Sequence, residues 1–258
     1  MADRTSHDAG TISWTDLATS DQAAAKEFYG GLFGWDYEDQ PIDENTTYSM
    51  AKLGGRSAAA ISPQQQGESE QGIPPHWNVY VTVDDVDAAS DQVGENGGNL
   101  LAGPFDVFEA GRMSVIADPG GAVLCLWQAK ENIGSEVVNE PGALTWADTA
   151  TPDPEAAQKF YGAILGWEFE PMSEEPPYWV ISKGGRSQGG MTVPPPEVPA
   201  NWFPYFAVED VDATMKQAGE AGGQPFMGPV DLPNGGRFAL IQDPQGAAFA
   251  VFAGDFED

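Results

Sequence analysis

The chain has 258 residues, 41% of them hydrophobic, a length that suits two ordinary domains and an apolar content sufficient for real cores. Lys and Arg number 11 against 40 Asp and Glu, and the resulting charge of −29 repels phosphate backbones and anionic membrane surfaces. One Cys excludes an intramolecular disulfide and every multi-Cys metal site, and two His leave little for a His-based one.

The opening stretch, Met1 to Asp8, has no apolar segment of signal-peptide length. The longest apolar run, Ala247 to Ala253, is far short of the roughly 20 residues that span a bilayer. A cytoplasmic protein without nucleic-acid or membrane partners is expected. Its acidity fits either a high-salt habitat or ordinary protection against aggregation.

Ile12 to Ala18 alternates and carries β-favouring residues, which predicts a strand. Thr19 is positioned to cap a helix, with Gln22 completing a capping box. Ala24, Phe28 and Leu32 share one face of that helix, and Gly34 ends it. Strands are predicted at Trp35 to Gln40, Thr47 to Leu53 and Arg56 to Ser62. A Pro/Gln-rich loop leads to a strand at His76 to Val83. A helix from Asp85 to Glu95 follows, closed by Gly97-Gly98. Three more strands complete this half: Asn99 to Phe105, Arg112 to Ala117 and Ala122 to Gln128.

The whole pattern then repeats. Trp14, Asp16, Phe28-Tyr29-Gly30 and Gly34-Trp35 recur at an offset of 132 as Trp146, Asp148, Phe160-Tyr161-Gly162 and Gly166-Trp167. Gly54-Gly55-Arg56-Ser57 recurs at 130. HWNVYVTVDDVDA recurs as NWFPYFAVEDVDA at 125, as do Gly111-Arg112 and Asp118-Pro119. In the second half Thr151 is followed by Pro152, which suits a first helical position, and Gly166 ends the helix. The chain thus reads as a duplicated domain, 8–130 and 140–258, joined by 131–139. Each half is strand–helix–three strands, twice.

Four such βαβββ units, with Phe-Tyr before Gly-Trp and Gly-Arg before Asp-Pro, resemble the vicinal oxygen chelate superfamily, the glyoxalase/bleomycin-resistance/dioxygenase group. The resemblance covers nearly the whole chain and implies an α+β fold. Each half would be a glyoxalase-like domain, with paired units forming a curved mixed sheet around an open bowl with helices outside; the sequence leaves open whether units pair within a half or across the halves. Metal-dependent members place His, Glu or Gln ligands on the first, fourth, fifth and eighth strands, because a divalent ion needs converging N or O donors. In this sequence the first-strand position falls on Trp14 and Trp146, the fifth on Asn78 and Phe203, and the eighth on Cys125 and Ala250. The fourth strand offers 58–61 and 188–191. No metal and no cofactor are therefore expected. His76 reaches the fifth-strand position only if the register slips by two residues.

Trp14 with Asp16, and Trp146 with Asp148, alternate onto one strand face each, which the resemblance turns toward the bowl. A partly desolvated carboxylate there suits a general acid or base; alternatively each Asp bonds to nearby backbone or to an Arg. Arg112 and Arg237 are candidates for holding an anionic ligand group, or for a salt bridge to one of many carboxylates. Tyr29 and Tyr161 are read as packing residues with hydroxyls bonded outward, and Cys125 as a buried, inert thiol.

Three functions compete. The first is a small-molecule binder holding an aromatic or amphipathic ligand among Trp14, Trp146, Asn78, Phe203, Arg112 and Arg237. The second is a divalent-metal lyase or dioxygenase with a degenerate site, or an enzyme recruiting Asp16 and Asp148 for proton transfer. The third is an interaction protein with one half degenerate. A monomer or homodimer is expected, since fusion supplies what single-domain relatives gain by dimerising.

Overall fold

The computed structural model describes residues 3–44, 46–233 and 235–255, so Met1, Ala2 and the last three positions of the second half lie outside the described residues. The first half runs β1 (Ile12–Thr19), α1 (Gln22–Phe33), β2 (Asp36–Pro41), β3 (Thr47–Leu53), β4 (Arg56–Pro63), α2 (Gln66–Glu70), β5 (His76–Thr82), α3 (Val86–Asp91), β6 (Asn99–Val107), β7 (Gly111–Ala117) and β8 (Val123–Ala129). The second runs β9 (Leu144–Ala150), α4 (Pro154–Leu165), β10 (Glu168–Glu174), β11 (Pro177–Lys183), β12 (Arg186–Thr192), β13 (Asn201–Ala207), α5 (Val211–Glu220), β14 (Gln224–Asp231), β15 (Arg237–Gln242) and β16 (Ala248–Ala253).

Each half forms its own eight-stranded mixed sheet, ordered β2-β3-β4-β1-β5-β8-β7-β6 and β10-β11-β12-β9-β13-β16-β15-β14. The units therefore pair within a half. The joining pair is antiparallel, β1 with β5 and β9 with β13, and parallel pairs flank it.

The helix caps differ from the expected ones. Asp21 and Asp153, not Thr19 and Thr151, accept from the backbone N–H three residues on, and Pro154 rather than Pro152 opens α4. The Thr hydroxyls lie a long 3.4 Å from the N–H of residues 21 and 153, so the carboxylates are the better acceptors for the first turn. Gly34 and Gly166 end the helices at φ 72° and 69°, a left-handed conformation that costs glycine little. Helix α2 arises inside the stretch expected to be loop, where the Gln65 backbone N–H donates to Glu68 Oε2 at 3.0 Å.

Helices α1 and α4 lie between the two sheets. Ala25, Phe28, Tyr29 and Phe33 of α1 share one cluster with Leu17 and Ile61 of the first sheet and with Phe206, Phe249 and Val251 of the second. Helix α4 mirrors this with Phe160, Tyr161 and Leu165 against Val79, Leu124 and Leu126. Each buried Phe contributes about 2–3 kcal/mol of transfer free energy to joining the halves. Gly98 and Gly223 make the approach possible: a β-carbon at Gly98 would meet the Phe160 ring, and one at Gly223 would come within 3.1 Å of Phe28.

Tyr29 and Tyr161 depart from the sequence expectation in one respect. Both are fully buried, and their hydroxyls point across the halves rather than outward. Tyr29 donates to Asp243 and accepts from Trp77 Nε1, while Tyr161 donates to Asp118 and accepts from Trp202 Nε1. Trp35 and Trp167 add a second reciprocal pair, donating to the carbonyls of Gly142 and Gly10 at 2.7 Å. No helix among the described residues is long and apolar enough to cross a membrane.

Candidate functional site

The faces turned away from α1 and α4 are the bowls. On the floor of the first, strand alternation places Trp14 and Asp16 of β1 beside Asn78 and Tyr80 of β5, in register Asp16 with Asn78 and Trp14 with Tyr80. Met50, Ala60, Cys125 and Trp127 pack around them. Asp16 is 5% exposed and fully hydrogen-bonded. Its Oδ2 accepts from Tyr48 (2.9 Å) and Tyr80 (2.8 Å), and its Oδ1 accepts from Asn78 Nδ2 (2.9 Å). Trp14 Nε1 donates to the Tyr48 hydroxyl at 3.1 Å.

The second bowl repeats the constellation with one exchange. Asp148 Oδ2 accepts from Tyr205 (2.7 Å), and its Oδ1 accepts from both Tyr178 and Trp146 Nε1 at 2.9 Å. Phe203, level with Asp148, replaces the asparagine and stacks on Tyr205 with ring centroids 5.5 Å apart. Gly190 is required beneath this cage, since a β-carbon there would overlap the Tyr178 hydroxyl and Asp148 Oδ1. Its counterpart in the first bowl is Ala60, the β4 partner of Asp16.

Burial raises the pKa of both carboxyls, against the lowering effect of Asn78, Tyr80 and Tyr48 on Asp16 and of Tyr205, Tyr178 and Trp146 on Asp148. The same burial, together with the adjacent carboxylate, lifts the four tyrosines above their ordinary value, so each remains a hydroxyl donor. Cys125 is likewise pushed up by burial and stays a thiol.

Six of the eight sequence candidates therefore meet on bowl floors. The two arginines do not. Met113 and Val115 of β7 face the first bowl, so Arg112, one residue out of phase, lies on the helix face. There it forms a fork to Asp87 in the first turn of α3 and a longer contact to Asp106. Arg237 repeats this with Asp212 and Asp231. The salt-bridge alternative is what these residues adopt. The tyrosine donors Tyr48, Tyr178, Tyr80 and Tyr205 are absent from the sequence candidates. Their signal was available, because Tyr48 recurs as Tyr178 at offset 130 and Tyr80 as Tyr205 at 125.

Residues 11–126 match the family described as Glyoxalase/Bleomycin resistance protein/Dioxygenase superfamily, and residues 145–252 match the Glyoxalase-like domain. A Mycobacterium tuberculosis protein named "Putative glyoxylase CFP32" is 47% identical over 97% of both chains. This chain belongs to the glyoxalase/bleomycin resistance/dioxygenase superfamily. Another relative in it, the anthracycline biosynthesis protein DnrV of Streptomyces peucetius, is 36% identical over 94% of this chain and 92% of its own. Among solved structures, the Mn(II)-bound glyoxalase from Novosphingobium aromaticivorans superposes with a TM-score of 0.67 at 14% identity, covering 95% of this chain and 82% of that one. The 2,2',3-trihydroxybiphenyl 1,2-dioxygenase of Sphingomonas wittichii gives 0.67 at 13%, covering 96% and 92%. At such identities the likeness is one of fold.

The superfamily's ligand positions do not fit a divalent ion in this chain. On the first, fourth, fifth and eighth strands the bowls present Trp14, Ala60, Asn78 and Cys125, and Trp146, Gly190, Phe203 and Ala250. The one carboxylate on each floor already accepts three hydrogen bonds from neutral donors. His76 sits level with Ala18 at the rim, its Nδ1 2.9 Å from the Pro74 carbonyl, so the two-residue slip does not occur. Among the described residues, no three His, Cys, Asp or Glu side chains converge as a metal-binding group.

Proposed function

We propose that this chain binds a small aromatic or amphipathic molecule in its sheet bowl, over a hydrogen-bonded carboxyl that stands where the superfamily's metal centre would lie. The observation that carries this reading is the set of side chains at the coordinating positions. Indole, methyl, phenyl and thiol groups offer apolar contact, and the remaining polar group, Asn78, is turned to Asp16. The ligand would lie against Trp146 and Phe203, or against Trp14, with tyrosine hydroxyls as fixed polar partners. Two relatives are named for anthracycline biosynthesis, and an anthracycline is a flat fused-ring molecule.

The test is a tryptophan-fluorescence titration of protein dialysed against chelator, using a panel of fused-ring aromatics. Saturable quenching without added metal supports the reading. No saturable response across the panel overturns it, as does a stoichiometric divalent ion in protein purified without added metal. The latter result would favour the metal-dependent lyase or dioxygenase.

A second reading rests on the raised pKa of Asp16 and Asp148, which moves each carboxyl toward the range a proton carrier needs. In it the Asp pair are catalytic, and Asp148→Asn abolishes turnover while ligand still binds. In the binding reading the carboxyls orient their tyrosine and tryptophan donors.

A further inference from the structure

The two bowls share a plan but not a state. In the first, Trp14, Met50, Ala60, Tyr80, Cys125 and Trp127 close into a buried cluster of their own. Trp14 is 4% exposed, and α2 stands at the rim, with Glu68 4.0 Å from His76. In the second bowl, four of these positions carry smaller side chains: Val180, Gly190, Ala250 and Phe252. Trp146, Val180 and Phe252 remain half-buried where Trp14, Met50 and Trp127 are buried. The stretch that corresponds to α2, residues 194–199, forms no helix. The floor of the first bowl is filled by its own side chains; the floor of the second carries smaller ones and is less deeply buried.

The second bowl is aromatic around a single acid. Trp146, Tyr178 and Tyr205 hold Asp148 by hydrogen bonds, and Phe203 and Phe238 flank Tyr205, with centroids 5.5 and 6.1 Å away. Among the described residues, no basic group faces that acid. Arg237 is on the opposite face of the sheet. Lys183 lines a crevice beside Gly10 and Leu165, and the other basic side chains of this half pair with surface carboxylates. A carboxylate buried without a counter-charge is costly, and aromatic faces attract cations. The overall charge of −29 adds attraction at long range.

We propose that the second bowl alone is the ligand site and that its ligand is an aromatic organic cation, seated on Trp146 and Phe203 with its charge toward Asp148. This rests on the ligand-binding reading above and adds which bowl is used and the charge class of the ligand.

Isothermal titration calorimetry at low ionic strength with three probes of similar shape tests it: N-methylquinolinium (cation), quinoline (neutral) and quinoline-2-carboxylate (anion). The expected result is one N-methylquinolinium per chain, bound at least about tenfold tighter than the other two. That preference disappears in Asp148→Asn. Where Asp148→Asn perturbs folding, Phe203→Leu carries the test, weakening the cation more than quinoline. Equal binding of quinoline or the carboxylate, unchanged in Asp148→Asn, overturns the cation assignment and leaves the binding reading standing. Two equivalent sites per chain overturn the restriction to the second bowl. No saturable binding of any probe overturns both the inference and the reading beneath it.

Discussion

The Tyr29 hydroxyl donates a 3.0 Å hydrogen bond to Asp243, 214 positions further along the chain and in the other half. Tyr161 returns the same bond to Asp118 at 3.1 Å. The Phe-Tyr and Asp-Pro motifs, which carry the family resemblance most clearly, thus fasten the two halves together and lie on the helix side of the sheets. Replacing Tyr29 by Phe removes a donor from Asp243 and the acceptor of Trp77 Nε1, both buried. Leaving such groups unsatisfied costs about 1–3 kcal/mol. Urea unfolding of Tyr29→Phe and Tyr161→Phe is expected to show losses of that size, with ligand binding retained in what remains folded.

Burial sets the pH dependence that Asp16 and Asp148 contribute. Both carboxyls titrate above their unfolded value, so the folded protein holds protons that the unfolded chain has released. Their contribution is complete below the unfolded pKa of about 3.9 and is lost as pH rises through the folded value. Asn at either position removes that loss. Calorimetric melting from pH 4 to 8 is expected to show the Asp148→Asn midpoint gaining on wild type as pH rises. A difference that stays constant or moves the other way would show that the carboxylate is not desolvated in the folded state.

Arg112 and Arg237 were candidates for ligand anchoring, yet they face the helices and pair with exposed aspartates. Arg112→Gln and Arg237→Gln are therefore expected to leave ligand affinity unchanged and to alter stability only slightly and in a salt-dependent way. Calorimetric titration of each variant checks this. A large loss of affinity would place a guanidinium in the bowl.

Gly190 is the residue that lets the second cage form. Gly190→Ala sets a methyl against the Tyr178 hydroxyl and Asp148 Oδ1. Overpacking of this kind costs about 1–3 kcal/mol. Thermal melting is expected to fall accordingly, and ligand affinity with it. Equal stability and affinity would mean that Tyr178 moves freely and is not a fixed partner of Asp148.

The sequence read well where its signals were local or duplicated. Strand alternation and the helix-ending Gly34 and Gly166 yield the strands and large helices of each half, and the constant offsets yield their duplication, but whether the units pair within a half or across the halves is not legible in them. Asp16 and Asp148 enter as candidates because Trp-x-Asp on a strand points two side chains one way. What local signals do not carry is the phase of one strand against its neighbour. The sequence leaves Arg112 open between ligand anchor and salt bridge because the facing of β7 is set by its pairing with β8, where Val115 meets Cys125. The tyrosine partners were missed for a related reason: Tyr48 reaches Asp16 from β3, two strands away across β4, a neighbourhood created only by the sheet order. The unequal filling of the two bowls was also hidden, because it arises from several one-step changes in side-chain size and from a short helix in a polar loop.

The measurement that tests the account most directly is a crystal structure of the protein soaked with N-methylquinolinium and manganese chloride, recorded at the manganese edge. The account predicts the planar cation over Trp146 and Phe203 in the second bowl, the first bowl closed by its own side chains, and no anomalous peak held by protein atoms in either. A manganese ion coordinated inside a bowl would contradict it.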